Sequence, residues 1–284
     1  MDDKIQEIIA PISTEIDIFE KNLKNIIESY DVFLREDIMH FMFGNSKRLR
    51  PIFIFLFSKI LNVNSSLVQK IALISELIHS ASLIHDDIID EADMRRNYPT
   101  LHAKYGVKVA VLEGDLLLSI ALGLLSETNQ EISKIYSQRI KLTILGEMEQ
   151  DENLFKEITI DKYIEKTFNK TGNLFMAGLE ALFSLSKRNE PLFNFMKNYS
   201  IYFQLQNDIK DIVSDRKNGN YTLVMLYFLK DYKIEDINNA DFDKYIKKAN
   251  EKIKLYKENA LLSLNLIQNS KYKDALLKII DLGL

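Results

Sequence analysis

The sequence predicts an all-α protein, and three observations carry that expectation. Glycine and proline are scarce, nine and four among 284 residues, under half the roughly 12% the pair makes up in average proteins. A many-stranded β protein would need far more turn residues. Apolar residues recur at helical spacing along almost the whole chain, and two-residue alternation is hard to find. The segments between the periodic runs are short and carry local turn chemistry, as in Asn62-Val63-Asn64-Ser65-Ser66, Asn97-Tyr98-Pro99-Thr100 and Arg188-Asn189-Glu190-Pro191.

Taken in order, the periodicity predicts helices over 3–28, 31–43, 50–62, 66–91, 107–127, 130–153, 160–187, 191–216, 221–231, 242–268 and 271–281. Gly44 permits a turn after the second run, and Lys47-Arg48-Leu49-Arg50-Pro51 opens the third. The stretch from Asp231 to Lys257 is rich in Lys, Asp, Glu and Asn and reads as a solvated outer helix. No fixed-period repeat, low-complexity tract or long linker interrupts the pattern, so residues 1–284 are expected to form a single helical domain.

Composition narrows the function classes. Apolar residues make up 46% and charged residues 27%, which is ordinary globular material. Lys and Arg total 37 against 41 Asp and Glu, a net charge of −4, so the surface as a whole is no nucleic-acid footprint, although a local basic cluster can still hold phosphate. There is no cysteine, hence no disulfide, thiolate metal site or Cys nucleophile, and a cytoplasmic setting fits. The start, Met1-Asp2-Asp3-Lys4-Ile5-Gln6-Glu7, has no signal-peptide character. The greasiest region, Val107 to Leu125, is broken by Lys108, Glu113 and Asp115, and a soluble protein without a transmembrane segment is expected.

The run 66–91 carries two stripes. Leu67, Ile71, Ile74, Ile78, Ala81 and Ile88 form the core-facing one. Ser75, His79, Ser82, Asp86 and Asp90 form the other, at spacings of 4, 3, 4 and 4. Like charges at i,i+4 repel, and with Leu83, Ile84, Ile88 and Ile89 beside them a cation is expected to offset Asp86 and Asp90. Oxygen ligands without cysteine favour a hard ion such as Mg²⁺. Lys47, Arg48 and Arg50 before this run and Arg95-Arg96 after it suit the diphosphate with which Mg²⁺ is commonly shared. A second acidic group, Gln204, Asp208, Asp211 and Asp215, falls at spacings of 4, 3 and 4 opposite Phe195, Tyr199, Tyr202 and Ile209. Spacing leaves it open as either a ligand site, projecting with the first toward one cavity, or a polar face.

These motifs resemble the trans-isoprenyl diphosphate synthase, or polyprenyl synthetase, family. The likeness is most specific in Gly44-Asn45-Ser46-Lys47-Arg48-Leu49-Arg50-Pro51 and in the run Leu77 to Asp90, which carries the first Asp-rich motif, Asp86-Asp87-Ile88-Ile89-Asp90. Arg95-Arg96, Lys170-Thr171 and Phe203-Gln204 match further signatures. The resemblance implies an all-α bundle of the isoprenoid synthase type around a deep central cavity. It implies that Lys47, Arg50, His79 and Arg96 bind isopentenyl diphosphate. Asp86 and Asp90, supported by Asp87, would hold Mg²⁺ on the allylic diphosphate, with Asp208 and Asp211 as further metal ligands. Arg95, Lys170, Thr171 and Gln204 would contact the allylic substrate, for example farnesyl diphosphate; Asp86, Asp90, Arg95 and Lys170 are the expected catalytic residues. Without the motif, His79 would read as a satisfied core histidine. A homodimer is implied, with the lipid product passed to membrane enzymes and no nucleic-acid partner.

The family chemistry suits those residue types, because diphosphate leaves only when its developing charge is neutralised. The second motif departs from the pattern, reading Asn207-Asp208-Ile209-Lys210-Asp211 with a neutral first position. The segment after it is short, and Asn220 stands where a lysine is common; Lys210 and Lys217 are candidates to replace that charge. Positions four and five before Asp86, Ser82 and Ala81, are small and imply a long product of around C40 if the tail grows past them. Rival readings are a subunit of a heteromeric synthase with reduced activity of its own, a terpene synthase, and a helical scaffold.

Overall fold

A computed structural model describes residues 3–30, 36–44 and 46–283, so Met1-Asp2, Asn45 and the first part of the 31–43 run lie outside the described residues. The described chain folds into α-helices with one two-residue antiparallel ladder, Met94–Arg95 (β1) paired with Tyr98–Pro99 (β2). The expected all-α class holds. Cα packing divides the chain into two compact units, with boundaries inside three of the helices. The first unit takes Met1–Lys134, Gly178–Lys187 and Ser270–Leu276; the second takes Ile135–Ala177, Arg188–Asn269 and Leu277–Leu284.

In the first unit, the 3–28 run is two helices, α1 (Asp3–Ile9) and α2 (Ser13–Glu28), parted by a 3-10 turn over Ala10–Ile12. Pro11 is the cause, since it has no N–H to give to the α ladder. Helix α3 is Glu36–Phe43 and α4 is Leu49–Ile60. Helix α4 is buried on all sides from Pro51 to Ser58, as a helix apolar around its whole circumference must be. On one side it meets α2, which buries Ile16, Phe19, Leu23 and Ile27, and the Phe19 ring meets Phe55 edge-on at 6.2 Å. Along the other side runs α5 (Leu67–Ile89), continuously buried from Ile71 to Ile78. After the β1–β2 hairpin, α6 (Leu101–Tyr105) leads into α7 (Val107–Ser126), which packs along α5. By length and composition α5 and α7 are both apolar enough to cross a membrane; two thirds of the relevant window of α5 is buried within the protein, against a third for α7.

The second unit begins within α8 (Gln130–Glu152). The 160–187 run is α9 (Ile160–Thr167), a π-turn over Phe168–Gly172, and α10 (Asn173–Phe183). The 191–216 run breaks at Asp211 into α11 (Glu190–Lys210) and α12 (Ile212–Lys217). Aromatic stacking centres the core, with Tyr199 against Phe195 at 5.8 Å and against Phe203 at 6.1 Å. Helices α13 (Leu223–Phe228) and α14 (Asp243–Asn265) follow, α14 lying along α11 and α13. The charged stretch expected as an outer helix does expose most of its lysines and its glutamates, yet α14 buries Tyr245, Ala249 and Ile253 on its inner face. The last helix, α15, is Lys271–Asp281.

Candidate active site

In the first unit the site is built at the C-terminus of α5. The helix stops in a Schellman turn: Glu91 N–H donates to Ile88 O at 3.2 Å and Ala92 N–H to Asp87 O at 2.9 Å, with Glu91 left-handed at φ 49°. Asp86, Asp87 and Asp90 thus stand at the negative pole of a helix that has no basic residue in its last turn. Asp86 is half-buried and Asp90 exposed, whereas Asp87 is turned inward and only 3% exposed. Arg95 locks it there, Nε and Nη2 each 2.7 Å from Asp87 Oδ1.

Arg95 and Arg96 are delivered by the hairpin, whose central residues Arg96 and Asn97 are both left-handed (φ 52° and 64°), the geometry of a type I′ turn. An arginine in that region is strained, and such strain collects at functional positions. Asp37 on α3 moors the hairpin: Tyr98 and Tyr105 each donate a phenolic O–H to it at 2.7 Å, Lys104 pairs with it, and His40 packs its ring on Tyr98 at 3.8 Å.

A second left-handed arginine, Arg48 at φ 51°, opens α4. It is buried, donating to Glu20 (2.7 and 3.2 Å) and to Glu76 (2.7 Å). Lys47, just before it, is exposed, and Arg50, just after, is half-buried. Desolvation, then Arg50, Arg96, Arg95 and Arg48 in turn, push the His79 imidazole well below its usual pKa. The neighbouring arginines thus disfavour a charge on His79 and carry the positive charge of this corner themselves. Ser82 donates its hydroxyl to His79 O at 2.8 Å, and Ala81 is buried. Gly114 on α7 lets the His85 ring pack closely, since a Cβ there would lie 2.4 Å from His85 Nε2 and the ring would have to shift.

In the second unit the expected site residues lie on the π-turn, on α11 and at the α11–α12 junction, with Tyr163 of α9 beside them. Lys170 Nζ pairs with both oxygens of Glu147 at 2.9–3.0 Å. Gly146 allows that approach, since a Cβ there would stand 3.0 Å from Lys170 N. Thr171 donates to Gln204 Oε1 at 2.8 Å, and Gln204 Nε2 donates to Asp208 Oδ1 at 2.8 Å. Tyr163 gives its phenolic proton to the other Asp208 oxygen. Burial raises the Asp208 carboxyl despite these donors. Because the helix breaks at Asp211, Asp208, Asp211 and Asp215 do not share one continuous helical face as their spacing suggests. Asp215 returns to the group through Asn220, whose Nδ2 donates to Asp215 Oδ1 at 2.9 Å. Burial, with Asp208 and Asp211 nearby, pushes the Asp215 carboxyl up to about 7. Asp215 is thus a buried carboxyl with two further carboxylates beside it, an arrangement that suits a cation.

A family model for polyprenyl synthetases matches residues 32–258. The chain belongs to this family. A polyprenyl synthetase relative, the prenyl transferase of Cyanophora paradoxa, is 35% identical over 80% of this chain and 76% of its own length. Solanesyl-diphosphate synthase 2 of rice, a chloroplastic protein, is 29% identical over 99% of this chain and 79% of its own. Among solved structures, heptaprenyl diphosphate synthase from Staphylococcus aureus superposes with a TM-score of 0.87 at 25% identity, covering 95% and 97% of the two chains. This polyprenyl synthetase is thus a prenyltransferase, and the long-chain trans-polyprenyl diphosphate synthase expected from the motifs is the reading these relatives bear out.

The donor chemistry of the polyprenyl synthetase site can be tested against the expected metal. Among the described residues no three His, Cys, Asp or Glu side chains converge into a self-sufficient metal cage. Mg²⁺ does not need one, since it takes one or two carboxylates and completes its octahedron with water and substrate phosphate. Asp86 and Asp90 fit that donor set. The sequence reasoning missed the Arg48–Glu20–Glu76 network, the Asp37 mooring and two residues of the second unit, Tyr163 and Lys166. Both sit with Thr167 on the buried face of α9, a burial that the sequence alone does not mark. Lys210 and Lys217, the proposed substitutes for a lysine at 220, are exposed and line an open recess of about 590 Å³ with Arg216 and Asn238; neither is bonded to Asp208 or Asp215.

Proposed function

We propose that the protein condenses isopentenyl diphosphate with an allylic diphosphate such as farnesyl diphosphate, in a Mg²⁺-dependent reaction repeated to a long chain of around C40. The observation that carries this reading is the end of α5: Asp86 and Asp90 stand at a negative helix pole beside a third carboxylate already locked to Arg95. Bound Mg²⁺ would supply positive charge to the allylic diphosphate, held by Asp86 and Asp90 with Asp87 as support and by Asp208 and Asp211 as further ligands. Arg95, Lys170, Thr171 and Gln204 bind that diphosphate and neutralise the charge it gains as the allylic C–O electron pair leaves with it. Lys47, Arg50 and Arg96 hold the isopentenyl diphosphate, and neutral His79 supplies an N–H donor to it. A new C–C bond forms to the isopentenyl double bond, and the proton then lost passes to the departed diphosphate.

The small residues Ala81 and Ser82 support the long product. Val107, Val111, Leu112 and Leu122 expose their side chains on α7, which supports a homodimer formed through that helix. We assign the protein to the cytoplasm, as a single functional domain that hands its lipid product to membrane enzymes. Asn207, a neutral residue at the head of the second motif, keeps one alternative in play, a subunit of a heteromeric synthase with reduced activity of its own. Purified protein incubated with Mg²⁺, isopentenyl diphosphate and farnesyl diphosphate tests both. Elongation that stops on adding EDTA supports the main reading, and mass analysis gives the chain length. Elongation only on adding a second protein supports the alternative.

A further inference from the structure

Lys166 sits on the buried face of α9 and is only 4% exposed. Its Nζ donates to Asn220 Oδ1 at 3.2 Å and lies 5.7 Å from the centre of the Tyr163 ring. No carboxylate among the described residues reaches it within salt-bridge distance, and its one hydrogen-bond acceptor is a neutral amide. Burying an ammonium on such a partner is costly, and an apolar side chain would fill the same space against Tyr163 without that cost.

The neighbourhood shows what the charge is for. Asn220 spans Lys166 and Asp215, accepting from one and donating to the other. Tyr163, one turn back on α9, holds Asp208. One turn on from Lys166 stands Lys170, already expected to meet diphosphate. Two lysines and the acidic group therefore frame one spot, where a polyanion bridging cations to ammonium groups would satisfy all of them.

We propose that Lys166 is a diphosphate-binding residue, its Nζ contributing with Lys170 to the seat of the allylic diphosphate. This rests on the prenyltransferase reading above and adds to it the source of the positive charge at position 220, which α9 provides from across the group.

The test uses the full-length protein, Mg²⁺ and farnesyl thiolodiphosphate, an unreactive allylic analogue, in calorimetric titrations. Lys166→Met should weaken the analogue at least about tenfold and raise KM for farnesyl diphosphate, while isopentenyl diphosphate binding stays within twofold. Adding Asn220→Lys, which returns an ammonium to the same spot, should recover most of the loss; a purely structural lysine would not be rescued in this way. Unchanged analogue binding in Lys166→Met, loss of both ligands together, or no recovery in the double variant overturns the proposal. Elongation by the wild type with Lys166-independent binding sinks this inference alone. Lys166-dependent binding without any elongation keeps it and sinks the reaction. A wild type that binds no analogue overturns both.

Discussion

Arg95 closes its guanidinium on a single oxygen of Asp87, Nε and Nη2 each 2.7 Å from Oδ1. The pairing divides labour among the three carboxylates at the end of α5. Asp87 is buried and spoken for; Asp90 is exposed at the helix cap.

Asp87→Asn and Asp90→Asn should therefore fail differently. Asp87→Asn removes the charge that holds Arg95 and should cost about 2–3 kcal/mol of stability, together with a raised KM for the allylic substrate. Asp90→Asn removes an exposed charge from an unfavourable helix pole, so stability should move by less than about 0.5 kcal/mol, while kcat falls at least a hundredfold. Urea unfolding beside steady-state kinetics reads both. Equal stability losses in the two variants would contradict the division.

The Arg48 network predicts a coupling. Arg48→Met leaves Glu76, a buried carboxylate, without its cation, which costs about 3–5 kcal/mol. Glu76→Gln in the same chain should return a large part of that, because the stranded charge is gone. A double-variant cycle in urea measures it, and strictly additive losses would show that Arg48 and Glu76 act independently.

How far the sequence spoke depends on the kind of signal. The helices were legible because an apolar stripe repeats over many residues, and the first Asp-rich motif was legible because its carboxylates share one helix. The hairpin that carries Arg95 and Arg96 was read only as a turn, since a two-residue ladder is too short to alternate. The break at Asp211 was missed because the polar spacing of 4, 3 and 4 runs on through it. Lys166 was invisible for another reason: an ammonium on the buried face of α9 looks like any solvated lysine until Asn220, fifty-four positions away, is brought beside it.

The Asp37 mooring makes a pH prediction. Burial alone would raise this carboxyl, but the hydrogen bonds from Lys104, Tyr98 and Tyr105 outweigh it and lower it from the ordinary 3.8 to about 2. A carboxyl lowered in the folded state contributes stability that is fully present above its unfolded value and is lost as pH falls toward the folded one. Urea midpoints of the wild type should thus drop between about pH 4 and 2 more steeply than those of Asp37→Asn. At pH 6 the variant should be less stable by about 2 kcal/mol, discounted for the half-exposed Lys104. A gap between the two proteins that is constant across this range would remove Asp37 from the argument.

Ala81 offers the sharpest test of product length, because its burial admits two explanations that separate on substitution. If the growing tail passes one turn before Asp86, the small side chains of Ala81 and Ser82 leave its path open, and a phenyl ring at 81 blocks it. If Ala81 instead only lets α5 pack closely within the first unit, the ring overfills the core. Overpacking costs about 1–3 kcal/mol and displaces neighbours without setting any chain length. On the first reading, Ala81→Phe should give shorter products at a Tm within a few degrees of the wild type, and Ser82→Phe, at a half-buried position, should do the same with less strain. A falling Tm with the product length unchanged in both variants would assign Ala81 to packing and leave the length to be set elsewhere along the bundle. Shortening in Ser82→Phe alone would keep the path and move its wall by one residue.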